Sequence, residues 1–149
     1  MNYIVICDQY RCLFVHIPKV AGQSIESVFL KLVGLSWENR SPLLLRKNND
    51  PQMGPPRLAH LTISEYLRYN YISTKDFDNY YKFTFIRNPW CRIVSIYHYL
   101  GYDIMCDFEY FVSKYYNTLF RNHHWFLKPQ IEFLNIENKI SVDFIGRYE

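Results

Sequence analysis

The sequence predicts an α/β fold: a three-layer sandwich in which a mostly parallel central sheet is flanked by helices. A short apolar segment rich in β-branched residues is followed by a loop and then by a segment with helical periodicity, and this order occurs twice. Repeated strand–loop–helix units produce parallel strands with helices packed on the sheet. The 149 residues, 49% hydrophobic and 21% charged, suit a single domain over 1–149.

The first strand–loop–helix unit begins near the amino terminus. Residues 3–7 and 12–17 are predicted strands separated by a polar turn, and the second lacks alternation, as is typical of a strand covered on both faces. Residues 18–24 form a loop with Pro and Gly. Apolar residues then recur at helical spacing, so we predict a helix with Ser24 as its N-cap or in its first turn and with Gly34 at its end.

The middle of the chain predicts little regular structure. Residues 36–57 are rich in Pro, Gly and Asn, which predicts an irregular surface loop of the kind that can move over a site. Thr62 or Ser64 is predicted to cap a short helix that ends near Tyr69. Residues 76–81 are interpreted as a polar approach to the next strand.

The second strand–loop–helix unit has clearer boundaries. The segment Tyr81–Ile86 is a predicted strand, Asn88 a predicted N-cap and Pro89 the first helical residue. The helix is expected to run over 90–100 and to end at Gly101. Residues 107–116 and 129–134 are further helical candidates, and 140–145 is the predicted last strand.

The loop of the first unit has the composition of an anion site. A helix amino terminus after a buried strand presents free N–H groups and a partial positive charge. Candidate binding residues in this loop are Lys19, Ala21, Gly22, Gln23 and Ser24. The alternative is a tight turn with an exposed lysine. The GxxxxGK[ST] phosphate loop does not fit, because the lysine here precedes the glycine.

The loop of the second unit offers a second anion contact. Arg87 follows a strand, and Ser95 lies on the helix after it, so both can converge on one phosphate. The alternative is that Arg87 ties the strand end to a carboxylate and Ser95 is a packing residue.

Several other classes are disfavoured by composition. The net charge of +3 without a run of Lys and Arg does not indicate nucleic-acid binding. The four cysteines show no CxxC spacing, so no metal site is expected, and Cys7 and Cys12 are expected to be reduced although they could face each other across a hairpin. With no signal peptide and no run of 18 apolar residues, we expect no membrane segment and a cytoplasmic location.

Two segments together resemble known binding motifs. VHIPKVAGQSI (residues 15–25) is similar to the 5′-phosphosulfate loop of sulfotransferases, and FTFIRNPWCRIVSIYHYL (residues 83–100) to their 3′-phosphate motif. The likeness is greatest to the carbohydrate and bacterial type (sulfotransferase family 2), whose loop typically reads HIPKTAGTS; Val20 and Gln23 replace its threonines. His60, Pro129-Gln130 and the final FIGRYE also resemble family landmarks.

This resemblance implies a fold and a reaction. The fold would be a P-loop-like sandwich, and because family members continue past GRYE, the domain is expected to be incomplete at its carboxyl end. The sulfate donor would be 3′-phosphoadenosine 5′-phosphosulfate (PAPS), without a metal, and the acceptor a hydroxyl, by family analogy on a carbohydrate. The likeness leaves the acceptor's identity and the oligomeric state open.

The resemblance also assigns roles to residues. Lys19 would be catalytic, holding the 5′-phosphosulfate with residues 21–24, while Arg87 and Ser95 hold the 3′-phosphate. His60 is the first candidate for the general base. Other histidines, one acid and the tryptophans are weaker candidates, interpreted as core or surface groups: His16, Glu26, His123, His124, Trp37, Trp90 and Trp125.

Three alternative functions stay open at this point. A kinase-like protein would need a carboxylate for Mg²⁺ at a strand end, and Asp143 is the one tempting residue, although it falls within a predicted strand. A truncated, non-catalytic nucleotide-binding protein would keep the nucleotide contacts without turnover. A purely structural fragment would bind nothing.

Overall fold

A four-stranded mixed sheet lies at the centre of the protein, whose computed structural model describes residues 6–149. The strands are ordered β1-β2-β3-β6; β1 is antiparallel to β2, and β2, β3 and β6 are parallel. A separate ribbon contains β4 and β5. The strands are β1 Ile6–Cys7, β2 Cys12–Val15, β3 Tyr81–Ile86, β4 Asn135–Ile136, β5 Lys139–Ile140 and β6 Phe144–Arg147. The predicted mostly parallel α/β sheet is confirmed.

Helices flank this sheet. Their bounds are α1 Gly22–Leu32, α2 Ile63–Arg68, α3 Thr74–Asn79, α4 Pro89–Tyr99, α5 Phe108–Tyr110, α6 Tyr116–Asn122 and α7 His124–Leu127. A π-helical turn, Phe111–Tyr115, joins α5 to α6, so helical structure runs from 108 to 122. Single 3₁₀ turns occupy Ser41–Leu43, Pro51–Met53, Leu58–His60, Tyr102–Ile104 and Gln130–Phe133.

The first unit differs from prediction at its strand end and helix start. Strand β2 ends at Val15, not at residue 17, and α1 begins at Gly22. The N-cap is Ala21, in the left-handed region at φ 64°, and the Ser24 N–H donates to the Ala21 carbonyl. Ser24 is therefore inside the first turn, which is one of its two predicted positions, and it is not the N-cap. The predicted strand residues 3–5 lie outside the described part of the chain.

Residues 36–57 are irregular, as predicted, but the interpretation as a surface loop is wrong in part. Leu43, Leu44 and Leu45 are buried in the main core with strand β2 and helix α2. Three successive leucines bury enough apolar area to fix the segment against the core. Only its last residue, Arg57, reaches the cavity described below.

The second unit matches its prediction closely. Strand β3 has the predicted bounds, and Asn88 caps α4, its side-chain oxygen accepting from the N–H groups of Trp90 and Cys91. The polar segment before β3 contains a helix that prediction missed: the Ser73 hydroxyl accepts from the Asp76 N–H at 3.0 Å and starts α3.

The carboxyl-terminal predictions need correction. The helix predicted over 107–116 continues to Asn122, and 129–134 forms only a 3₁₀ turn. The predicted strand 140–145 is divided between β5 and β6. Asp143 lies between them, not in a strand, and its carboxylate accepts from the Lys82 N–H at 2.7 Å. This residue therefore starts the pairing of β6 with β3.

The hairpin of β1 and β2 places Cys7 opposite Cys12, and both are buried free thiols. Burial, with the neighbouring Cys7 as second cause, raises the pKa of Cys12 to about 12.

Among residues 6–149, no helix is both long enough and apolar enough to cross a membrane.

Candidate active site

A cavity of about 390 Å³ opens where the chain leaves β2. Its wall combines the loop of the first unit with residues from distant segments. The lining residues are His16, Lys19, Ala21, Gly22, Gln23, Arg57, His60, Tyr99, Leu100, His123, Trp125 and Phe126. This set includes cations and histidines but no carboxylate. The predicted residues Lys19, Ala21, Gly22, Gln23 and His60 are thus brought together, whereas Ser24 lines an adjacent open groove.

The backbone of the loop has features that could hold an anion. Lys19 and Ala21 both take positive φ values, 67° and 64°, which residues with a Cβ rarely adopt. Among residues 6–149, no side chain caps α1, so the N–H groups of Gly22 and Gln23 at its first turn have no capping side chain there. A helix amino terminus of this kind favours negative charge through its dipole and its N–H groups.

The Lys19 side chain supplies a full charge at the same place. Its Nζ lies 4.1 Å from the centroid of the Tyr99 ring, on the cavity wall. Desolvation by burial, and then the charge of Arg87, lower the pKa of Lys19. A bound anion would offset both of these unfavourable effects.

His16 and Glu26 form a buried pair behind the loop. The His16 Nδ1 is 2.5 Å from the Glu26 Oε1, and the two residues are 5% and 3% exposed. Gly22 and Glu26 lie four residues apart on one face of α1, and a Cβ at Gly22 would overlap the His16 ring. Glycine is therefore required at position 22 by close packing.

His60 stands over His16 with a defined tautomer. Its Nδ1 is 3.0 Å from the His16 carbonyl oxygen, which can only accept, so Nδ1 carries the proton and Nε2 keeps its lone pair. The His60 ring also stacks on Trp125 at 6.0 Å between centroids. Desolvation, and then the repulsion that a protonated His16 exerts, hold the pKa of His60 well below its ordinary range. The ring is thus kept neutral, as a general base must be.

Arg92 joins the second unit to this cavity. Its guanidinium is buried and donates to the carbonyl oxygens of Pro18, Phe126 and Lys128 at 2.9–3.1 Å. Burial lowers its pKa to about 10. One side chain from α4 thereby holds both the loop and the aromatic wall in place.

Arg87 and Ser95 do not line the cavity. The Arg87 Nε donates to Glu149 Oε1 at 3.2 Å, and the guanidinium lies 4.7 Å from the Tyr148 ring. A longer contact of 3.4 Å joins Arg87 Nη1 to the Lys19 carbonyl oxygen. Arg87 therefore touches the loop from outside, whereas Ser95 is half-buried on α4 with no hydrogen bond from its hydroxyl to a described residue.

The backbone of Arg87 is fixed by a predicted landmark. The Gln130 side-chain amide accepts from the Arg87 N–H at 2.9 Å and donates to its carbonyl at 2.7 Å. These two hydrogen bonds satisfy both backbone groups of Arg87 just after β3, and a glutamine side chain can make both because it carries a donor and an acceptor.

Comparison with known proteins agrees with this geometry. The sequence profile of the Sulfotransferase family matches residues 2–149. The chain belongs to the sulfotransferase family. Carbohydrate sulfotransferase 14 of Mus musculus is 28% identical over 105 residues, which cover 65% of this chain and 23% of that protein. No solved structure shows a significant match. The predicted membership of sulfotransferase family 2 is confirmed.

The family resemblance did not indicate all of the cavity wall. Sequence-based prediction missed Arg57, Tyr99, Leu100 and Phe126. Tyr99 follows Ser95 by four residues on the same face of α4, and this spacing could have indicated Tyr99. No sequence pattern singles out Arg57. The interpretation of the tryptophans as core residues is wrong for Trp90, which is 76% exposed.

Trp37 also departs from the core interpretation, since it is 37% exposed. For Trp125 the interpretation holds in part: the side chain is partly buried against the cluster of Ile96, Phe126 and Leu127, and it also lines the cavity. Within residues 6–149, no three His, Cys, Asp or Glu side chains are grouped so as to hold a metal ion.

Proposed function

We propose that this chain is a PAPS-dependent sulfotransferase acting on a hydroxyl of a carbohydrate. The observation that carries the proposal is the meeting of Lys19, the uncapped start of α1 and the neutral His60 in one cavity. A cation and free N–H groups suit the anionic end of a phosphosulfate, and a neutral imidazole suits a hydroxyl. The same arrangement supports a P-loop-like three-layer sandwich as the fold.

The donor would be held by residues of both loops. The N–H groups of Gly22 and Gln23, with the Lys19 ammonium, would bind the 5′-phosphosulfate, and the Gln23 and Ser24 side chains would add donors. Arg87 and Ser95 would take the 3′-phosphate. The contact of Arg87 with the Lys19 carbonyl supports a role next to the loop, although its guanidinium also holds Glu149.

The reaction is a displacement at sulfur. The acceptor oxygen forms a bond to sulfur as the bond from sulfur to the bridging oxygen of the donor breaks, and that electron pair stays on the bridging oxygen. Lys19 would stabilise the charge developing on this oxygen. The acceptor proton would pass to the lone pair of His60 Nε2, because Nδ1 already carries a hydrogen. Most of the rate gain would come from positioning and charge stabilisation.

A carbohydrate acceptor is supported by the aromatic wall. Trp125 and Tyr99 line the cavity beside His60, and an aromatic ring offers an apolar face to the C–H groups of a sugar. The similarity to a mouse carbohydrate sulfotransferase also supports this acceptor class.

The first test is calorimetric titration with the donor's product, 3′-phosphoadenosine 5′-phosphate, beside ADP with Mg²⁺. We expect binding that requires the 3′-phosphate and falls about 10- to 100-fold in Lys19→Ala, since one charge-assisted contact is lost. Lys31→Ala, on an exposed lysine of the same helix, is the matched control and should bind as wild type.

The opposite results are equally informative. The proposal is contradicted if the folded wild-type chain does not bind this nucleotide. It is also contradicted if the wild-type chain and the Lys19→Ala variant bind it with equal affinity. Binding of ADP with Mg²⁺ in preference would favour a kinase-like site. Binding without any sulfate transfer would favour the nucleotide-binding alternative.

A further inference from the structure

Glu26 is a buried acid that the proposed mechanism does not use. It is 3% exposed and lies on the face of α1 that packs against the sheet, four residues after Gly22. A carboxylate is seldom buried unless a hydrogen bond and a partner compensate for lost hydration. Here the compensation comes from a single side chain, His16, at 2.5 Å.

His16 joins Glu26 to the candidate base. The rings of His16 and His60 meet edge to face, 4.5 Å apart between centroids, and the His16 carbonyl accepts from His60 Nδ1. The His16 ring cannot shift toward α1, because it already lies where a Cβ of Gly22 would be. The three groups Glu26, His16 and His60 are therefore locked in one order from the core to the cavity.

The charges around this cluster are unevenly distributed. Arg57, at the start of the 3₁₀ turn that contains His60, and Arg92 of α4 place positive charge near His60, and the described lining residues of the cavity include no carboxylate. On the core side, Glu65 and then Glu26 act electrostatically on the buried phenol of Tyr66 in α2. The charged or titratable groups around the cluster are Lys19, Arg57, Glu65, Tyr66, Arg92, Tyr99 and His123. A proton placed on His60 would thus meet cations on the cavity side, and Glu26 behind His16 is the nearby anion.

We propose that Glu26, acting through a neutral His16, is the counter-charge that stabilises His60 when His60 has taken the acceptor proton. This rests on the proposed function and makes Glu26 a positioning residue. His16 donates its Nδ1–H to the ionised Glu26, and neither residue changes protonation state. The acceptor proton moves only to His60 Nε2, and the resulting imidazolium is balanced by the carboxylate across the His16 ring.

The test is imidazole NMR of the full chain with and without Glu26→Gln. Glutamine keeps the shape and can still accept from His16 through its amide oxygen, but it carries no charge. We expect the titration midpoint of His60 to fall by about one pH unit in E26Q, since an opposite charge is removed. Glu132→Gln is the matched control, because Glu132 pairs with the exposed His124 at 3.7 Å; it should move only His124.

Each other outcome counts against the proposal. An unchanged His60 midpoint, or a His60 that stays neutral down to acid unfolding in both proteins, means that Glu26 supplies no counter-charge. If E26Q does not fold, the ¹⁵N chemical shifts of His16 in the wild-type chain decide. The proposal requires a neutral His16 ring with its hydrogen on Nδ1, and an imidazolium at His16 at neutral pH would overturn the proposal.

A second readout separates this inference from the proposed function. In a sulfate-transfer assay, E26Q should lower kcat about 10-fold, with the affinity for 3′-phosphoadenosine 5′-phosphate unchanged. Equal kcat in E26Q and wild type would contradict the role of Glu26. Failure of the proposed function would instead show as a wild-type chain that does not bind this nucleotide, whatever the NMR result.

Discussion

The two strand–loop–helix units share a topology but end in opposite ways. After β2, helix α1 starts at a left-handed Ala21 without a capping side chain, beside a cavity. After β3, Asn88 caps α4 through its side chain, and its own N–H donates to Glu149 at 2.8 Å. The first helix start has no capping side chain among the described residues, whereas the second is satisfied within the protein.

This difference separates binding from support. An uncapped helix start costs stability that a bound anion can return, whereas a capped one anchors its surroundings. Arg92 connects the two, since it extends from α4 to the Pro18 carbonyl in the first loop. Besides the proposed contacts of Arg87 and Ser95 with the 3′-phosphate, the second unit would therefore hold the first loop in shape. The following changes test that supporting role.

The largest effect is expected from Arg92→Leu. Three carbonyl oxygens, those of Pro18, Phe126 and Lys128, would lose their donor, at about 1 kcal/mol each or more. We expect the free energy of unfolding to fall by about 3 kcal/mol in urea denaturation. Arg92→Lys keeps a charge but cannot donate to all three carbonyl oxygens, so its free energy of unfolding should lie between those of wild type and R92L. Wild-type stability of R92L would show that the two units are not coupled here.

Gly22→Ala should be next in size. The added methyl group would overlap the His16 ring, and crowding of this kind costs about 1–3 kcal/mol. We expect lower thermal stability and weaker binding of 3′-phosphoadenosine 5′-phosphate, because the loop must move.

The neighbouring change Ala21→Gly is the control for that prediction. It removes the strain of an alanine at φ 64° and should leave stability equal or up to about 1 kcal/mol higher. If G22A and A21G behave alike, close packing at position 22 is not what shapes the first loop.

Asn88→Ala tests the capped unit. Loss of the side-chain oxygen that accepts from the Trp90 N–H should cost about 1 kcal/mol of unfolding free energy. Nucleotide affinity should change little, because Asn88 is not one of the proposed phosphate contacts and its side-chain oxygen already accepts from the Trp90 N–H. A large loss of affinity without loss of stability would contradict the division between the units.

Glu149→Gln should have the smallest effect, and it should depend on pH. The Asn88 N–H, and then the Arg87 side chain, lower the pKa of Glu149 in the folded chain. The unfolded state therefore binds the proton first as pH falls, so the stabilisation is present above the unfolded pKa and is lost through the folded pKa. Urea midpoints of wild type and E149Q should differ at neutral pH and converge in acid; a constant difference would point to packing alone.

Sequence patterns predicted the second unit better than the first for a physical reason. Asn88 and Pro89 act locally, on N–H groups two or three residues away, so their meaning is readable from the chain. The start of α1 is set instead by His16 against Gly22, a contact that spacing does not reveal.

The candidate site divides in the same way. The loop residues and His60 could be named from motifs, whereas Arg57, Tyr99 and Trp125 enter the cavity through tertiary packing. Leu43 to Leu45 are buried because they pack against core residues from distant parts of the chain. The many prolines and asparagines around them predicted an exposed loop instead.

The π-helical turn Phe111–Tyr115 has a consequence for how this chain tolerates changes of length. Such a turn is a single-residue insertion in an α-helix, and one residue turns a helix by about 100°. Deleting one residue from this turn would leave a continuous helix but rotate everything after it, including the approach to His123 and Trp125 on the cavity wall. The shape of the site therefore depends on the number of residues in a helix that contributes none of its own side chains to it.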